Sequence, residues 1–168
     1  ALRDVTNKHN GSYVASAVGE VNVVEKMKET NAIIGGEGNG GIIYPELHYG
    51  RDALVGIALF LTQLAERKMS AKQLRDSYPN YFISKNKIQL TPKITQEYVD
   101  IILSTLEEKY KNEKITTIDG LKIDFKEGWV HLRKSNTEPI IRIYAESEGK
   151  EKANSLAQKM INEIKELI

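Results

Sequence analysis

The sequence contains no cysteine, which excludes disulfides, thiolate metal sites and a cysteine nucleophile, and fits a reducing cytoplasmic setting. It has no strong charge of either sign: 24 Lys and Arg stand against 23 Asp and Glu, a formal net charge of +1. Nucleic-acid binders draw their affinity from a basic excess, so a general polyanion-binding surface is not expected. Long apolar runs are missing too. The longest, Ala53 to Leu61, includes Gly56 and is too short to span a bilayer, so no membrane partner is expected. No basic-then-apolar leader opens the chain. Instead Leu2-Arg3-Asp4-Val5 reads like the interior of a helix, and we expect a portion of chain to precede it.

What remains is the composition of a globular protein, 40% hydrophobic and 28% charged over 168 residues, enough for one domain or two small ones. Residues 1 to about 67 alternate helical and extended patterns, and this half reads as α/β. Val21, Val24, Met27 and Lys28 lie at helix spacing, and Asn31 to Ile34 reads as a short buried strand. From about Arg51 to Arg67, Leu54, Ile57, Ala58, Leu61, Leu64 and Ala65 cover a broad face, which predicts a mostly buried helix. Between Ser77 and Pro92 the pattern weakens into turn-like and polar residues, and the boundary is expected between 84 and 85.

Residues 85–168 read as α+β, a small antiparallel sheet with helices on one side. Thr95 to Tyr110 is expected to be a helix facing inward through Tyr98, Ile101, Ile102 and Leu106. Strands are expected over 115–118, 121–125, 129–133 and 140–146, with turns at Asp119-Gly120 and Glu127-Gly128. A closing helix presents Ala153, Leu156, Ala157, Met160, Ile161, Ile164 and Ile168. No repeat or low-complexity tract is present.

Two segments carry candidate chemistry. Arg133-Lys134-Ser135-Asn136-Thr137-Glu138-Pro139 joins two strands, with Arg142 just inside the second. Strand alternation puts Arg133 and Arg142 on the face opposite Val130, Leu132, Ile141 and Ile143. Guanidinium groups match phosphate oxygens with paired N–H donors, and the turn adds hydroxyl, amide and backbone donors. On spacing alone, a solvated turn with arginines facing water accounts for the same residues and is the commoner outcome.

Gly35 to Gly41 forms the second segment, holding Glu37 and Asn39. Gly36, Gly38 and Gly41 satisfy G-x-G-x-x-G, but Ile42 to Pro45 intervenes before any helix, so a dinucleotide fold is not expected. A backbone free of β-carbons around a carboxylate and an amide suits close approach to ligand hydroxyls. A flexible turn with Glu37 in solvent is an equal alternative. His9, His48 and His131 show no metal spacing, and no Asp-x-Asp pattern announces a magnesium site.

Together the two segments resemble the α-D-phosphohexomutase superfamily, which includes phosphoglucomutase/phosphomannomutase and phosphoglucosamine mutase. Gly36-Glu37-Gly38-Asn39-Gly40 is similar to its Gly-Glu-x-Ser-Gly sugar-binding loop, and Arg133 to Pro139 to its Arg-x-Ser-Asn/Gly-Thr-x-Pro phosphate-binding loop. Ala17-Val18-Gly19, Trp129 and Arg142-Ile143-Tyr144 fit as well. The resemblance implies part of a third domain over 1–84 and a fourth, C-terminal domain over 85–168. It implies sugar contacts from Glu37 and Asn39, and a phosphate clamp from Arg133, Ser135, Asn136, Thr137 and Arg142. The intact parent would interconvert hexose 1- and 6-phosphates through a phosphoserine, with magnesium as cofactor and a hexose bisphosphate as activator. Its nucleophile and metal ligands would lie in N-terminal domains, partners of this chain, so no catalytic or metal residue is expected here. Asn39 for serine, Gly41 for histidine and Ala17 for a basic residue depart from the family and bear on which sugar is bound. The rival readings are a free-standing phosphosugar-binding module without catalysis and, less favoured, a nucleic-acid-binding sheet.

Overall fold

The computed structural model describes residues 1–91, 94–135 and 137–168 and divides into two compact units, Ala1–Pro79 and Asn80–Ile168. No helix among the described residues is long and apolar enough to cross a membrane.

The first unit runs α1 (Leu2–Lys8), α2 (Glu20–Thr30), β1 (Gly35–Gly36), β2 (Ile42–Ile43), α3 (Ala53–Arg67) and α4 (Ala71–Asp76). Asn31 ends α2 in the left-handed conformation, its N–H donating to the Met27 carbonyl. The strand expected over Asn31 to Ile34 does not form: no strand pairs with it among the described residues, and Ile33 is 81% exposed. Pairing begins at Gly35↔Ile43 and Gly36↔Ile42, an antiparallel ribbon of two-residue strands.

Asp52 caps α3 by accepting the Val55 N–H at 3.0 Å, and Gly56 lets the helix pass close over Ile42. Within this unit, a two-residue strand cannot cover a 15-residue helix. The burial expected from its apolar breadth is therefore absent. No α3 residue is buried, and Leu54 is 78% exposed. A capping box between Ser70 and Gln73 starts α4, which buries Leu74.

The second unit is a five-stranded antiparallel sheet in the order β3-β7-β6-β5-β4, from β3 (Phe82–Gln89), β4 (Lys114–Thr116), β5 (Leu121–Phe125), β6 (Gly128–Lys134) and β7 (Ile140–Ser147). Helices α5 (Gln96–Lys109) and α6 (Lys150–Glu166) complete it. Val99, Ile102 and Leu106 of α5 and Leu156, Met160 and Ile164 of α6 join Ile123, Val130, Leu132, Ile141 and Ile143 in one core. Both helices thus sit on the same side, as the sequence predicts, and among the described residues this unit has no helix on the other sheet face.

Three local expectations are corrected. β3 occupies the segment read as turn-like and polar, because an edge strand needs only its inward positions covered: Ile88 enters the core, and Ser84 Oγ donates to Asn154 Oδ1 at 2.7 Å. The two compact units divide after Pro79, just ahead of this strand. In α5 the inward stripe is Val99, Ile102 and Leu106, whereas Ile101 is exposed and the Tyr98 hydroxyl donates to the Leu167 carbonyl at 2.8 Å. Ile168 lies beyond the end of α6 and is exposed.

Candidate functional site

On the uncovered sheet face, Trp129, His131 and Arg133 of β6 stand opposite Glu146, Tyr144 and Arg142 of β7, residue for residue. Two guanidinium groups directly across a strand pair repel, and like charges so placed destabilise a sheet. Each is offset by a carboxylate. Arg133 Nη1 donates to Asp119 Oδ2 at 2.9 Å, and Arg142 Nη2 to Glu138 Oε2 at 3.3 Å.

Asp119 reaches Arg133 because of the turn beside it. Gly120 has φ +77°, and a β-carbon there would lie 2.3 Å from the Leu132 carbonyl oxygen. Only glycine lets the β4–β5 turn press against β6 this way. The same turn offers the Asp119 carbonyl to His131 Nε2, which fixes the proton on that nitrogen. The Trp129 indole N–H donates to Glu146 Oε1 at 3.0 Å, and Lys122 pairs with Asp124.

The loop beyond Arg133 is closed by Ser135. Its N–H donates to the Ile140 carbonyl at 3.1 Å, and its Oγ accepts the Glu138 N–H at 3.3 Å. Ser135 is buried, so it builds the loop rather than displaying a hydroxyl freely. Thr137 is exposed, and Lys134 is drawn to α5 by Asp100, with Nζ 2.7 Å from Oδ1. Asn136, assigned to the phosphate clamp from the sequence, lies outside the described residues.

In the first unit the glycine segment is a tight turn between β1 and β2. Glu37 N–H donates to the Gly41 carbonyl at 3.0 Å, and Gly40 N–H to the Glu37 carbonyl at 3.1 Å. Asn39 Oδ1 accepts the Gly41 N–H at 3.0 Å, and Asn39 Nδ2 donates to Glu37 Oε2 at 3.5 Å. The two residues assigned to sugar hydroxyls therefore meet, but Asn39 spends its oxygen on the turn itself. Gly36 is required here: a β-carbon would lie 2.2 Å from the Gly41 carbonyl oxygen.

Beside this turn opens a cleft of about 710 Å³ lined by Glu20, Asn39, Gly40, Gly41, Gly50, Arg51 and Ala53. Sequence reasoning missed its two charged members. Arg51 Nε donates to Glu20 Oε2 at 2.8 Å, and the Arg51 N–H to Glu20 Oε1 at 3.2 Å, joining segments 31 residues apart. No periodicity announces such a pair; the one signal was an arginine next to the capping Asp52. Arg51 also explains Gly41, where a β-carbon would come within 2.8 Å of Arg51 Cδ. A larger side chain at 41 and Arg51 in this pose exclude each other.

His48 Nδ1 accepts the Gly50 N–H at 3.0 Å, so Nε2 carries the proton and donates to Asp52 Oδ2 at 3.1 Å. The Asp52 carboxyl is held below its ordinary value, chiefly by the Val55 N–H and next by His48. Among the described residues no group of three or more His, Asp or Glu side chains is placed to hold a metal ion.

Comparison with known proteins bears on the whole chain. Residues 1–81 match the model for the phosphoglucomutase/phosphomannomutase alpha/beta/alpha domain III, and residues 86–163 the model for the C-terminal domain of the same enzymes. A phosphoglucosamine/phosphogalactosamine mutase of Sulfurisphaera tokodaii is 37% identical over 99% of this chain and 36% of its own length. A phosphoglucomutase/phosphomannomutase of Thermococcus kodakarensis is 34% identical over the same shares. The crystal structure of a phosphoglucomutase/phosphomannomutase family protein from Burkholderia thailandensis shares the fold, with a TM-score of 0.77 at 24% identity, covering 99% of this chain and 35% of that one. The chain spans about a third of the length of the relatives it matches. With two consecutive domain models covering nearly all of it, the chain belongs to the phosphoglucomutase/phosphomannomutase family, of which it carries domain III and C-terminal domain sequence.

Proposed function

We propose that this chain is the substrate-gripping part of a phosphohexomutase, holding a hexose by its hydroxyls with one unit and by its non-reacting phosphate with the other. The observation that supports this reading is the placement of Arg133 and Arg142 directly opposite each other on the sheet face away from α5 and α6, beside the loop closed by Ser135. A phosphate entering there meets two forked cations held apart by Asp119 and Glu138. The exposed Thr137 hydroxyl would supply a further donor. Glu37 would accept from sugar hydroxyls. In this reading residues 1–79 act as the third-domain part and residues 80–168 as the fourth.

The chemistry of transfer belongs to other domains of the parent. There a phosphoserine would exchange phosphate with the sugar, with magnesium present. The described residues offer no group to hold that ion. What these residues contribute is binding: a bisphosphorylated intermediate has to turn around between two transfers, and a clamp remote from the reacting oxygen accepts it either way round. Glucose, mannose, glucosamine and galactosamine phosphates are the sugars to test.

A coupled mutase assay is the functional test, run on a polypeptide that carries the phosphoserine and magnesium loops ahead of this chain. Arg133→Ala is expected to raise KM and lower kcat, with a combined loss in kcat/KM of roughly 10- to 100-fold, the size of a charge-assisted hydrogen-bond pair. Unchanged kinetics would remove Arg133 from the clamp.

A further inference from the structure

We propose that Lys87 of β3 is a third cation of the phosphate site, the one that gives it a net positive charge and its preference for a doubly charged phosphate monoester. This rests on reading Arg133 and Arg142 as the phosphate clamp. The segment concerned, Ser84 to Lys87, carries no motif, and its polarity marks it in the sequence as a connection. The fold makes it a strand whose register sets Lys87 directly opposite Arg142, which is itself directly opposite Arg133. Three cations therefore stand abreast across β3, β7 and β6. Ser84 and Ile88 point into the core, so Lys85 and Lys87 point to the same uncovered face as the two arginines.

Charge accounting and register together single out Lys87. Arg133 is tied to Asp119 and Arg142 to Glu138, so that each arginine with its carboxylate is locally neutral. Lys134 is tied to Asp100. Lys85 keeps its charge, but it lies over the Tyr144 ring, 5.7 Å from its centroid, and stands opposite Tyr144 rather than in the row of Arg142 and Arg133. Lys87 is exposed and forms no ion pair among the described residues. Like charges opposite one another weaken a sheet, so the row contributes nothing to folding. It acquires a favourable role when an anion lies across it. A lysine suits the edge position: its compact ammonium on a flexible stem reaches an anion without the fixed geometry of a guanidinium.

The test is calorimetric titration of the chain with glucose 6-phosphate and, separately, with glucose 6-sulfate, a singly charged analogue. The variants are Lys87→Gln, Lys87→Arg and Arg133→Ala, with circular dichroism confirming the sheet in each. Lys87→Gln is expected to weaken glucose 6-phosphate about fivefold and glucose 6-sulfate by less, because the lost attraction scales with ligand charge. The deficit should shrink at high salt, and Lys87→Arg should bind like the parent chain. If Arg133→Ala weakens binding while Lys87→Gln stays within twofold of the parent, the role of Lys87 is overturned and the arginine clamp stands. Equal losses for both ligands would assign Lys87 to strand structure and overturn its role as well. If the parent chain fails to bind glucose 6-phosphate, or Arg133→Ala leaves binding intact, clamp and Lys87 fall together.

Discussion

Arg133 shows how much a single residue's role depends on neighbours that are distant in sequence. Its outward direction follows from the alternation of Val130, Leu132 and the residues between them, and the face of Arg142 follows from the same rule, while their direct opposition is set by the β6–β7 register. Asp119 could not be read that way. It reaches Arg133 only through the β5–β6 register and the left-handed turn at Gly120. Gly120→Ala is therefore expected to do two things. Strain at φ +77° and the clash with the Leu132 carbonyl should cost about 1–3 kcal/mol, lowering the thermal midpoint of the unit by several degrees. Displacing Asp119 should also release Arg133, visible as a change in its side-chain Nε resonance. An unchanged midpoint and resonance would mean that the turn does not hold the arginine.

Elements were legible where pattern and burial coincide. β5, β6, β7 and α6 alternate or repeat as their burial demands, so their existence and inward faces follow from sequence. β3 was not legible, because an edge strand with one uncovered face can be almost wholly polar. α3 failed in the opposite sense: its helical period was plain, but periodicity does not say what covers a face, and within its unit β2 covers little of it. The start of α3 gives a pH prediction. Asp52 is held below its ordinary value in the folded chain, so the stabilisation from its carboxylate is complete above the unfolded carboxylate range near ~4 and is lost as pH falls through the lowered folded value. Asp52→Asn keeps a side-chain acceptor for the Val55 N–H without a charge. Its helical circular dichroism should be less sensitive to acid between pH 5 and 2 than that of the parent, which titrates away its cap. Equal acid sensitivity would show that the cap's charge does not matter.

At the scale of the whole chain, each unit carries its own candidate segment, and the two units are built differently. The second unit has a continuous core of strands and helices, whereas the first buries only Met27, Ile43 and Leu74 among its large apolar side chains. The Gly-rich turn and the Arg-Ser-Thr loop were legible as segments, and family resemblance joined them. The Glu20–Arg51 pair and Lys87 were not, since each arises from chain segments that only the fold aligns. The central claim, that these surfaces grip a phosphorylated hexose, is tested most directly by amide-resolved NMR of the chain during titration with glucose 6-phosphate and with glucose. Glucose 6-phosphate is expected to shift the amides of Arg133, Ser135, Thr137 and Arg142, and glucose to leave these four unmoved. Shifts of equal size with both ligands, or none in this set with glucose 6-phosphate, would contradict that claim.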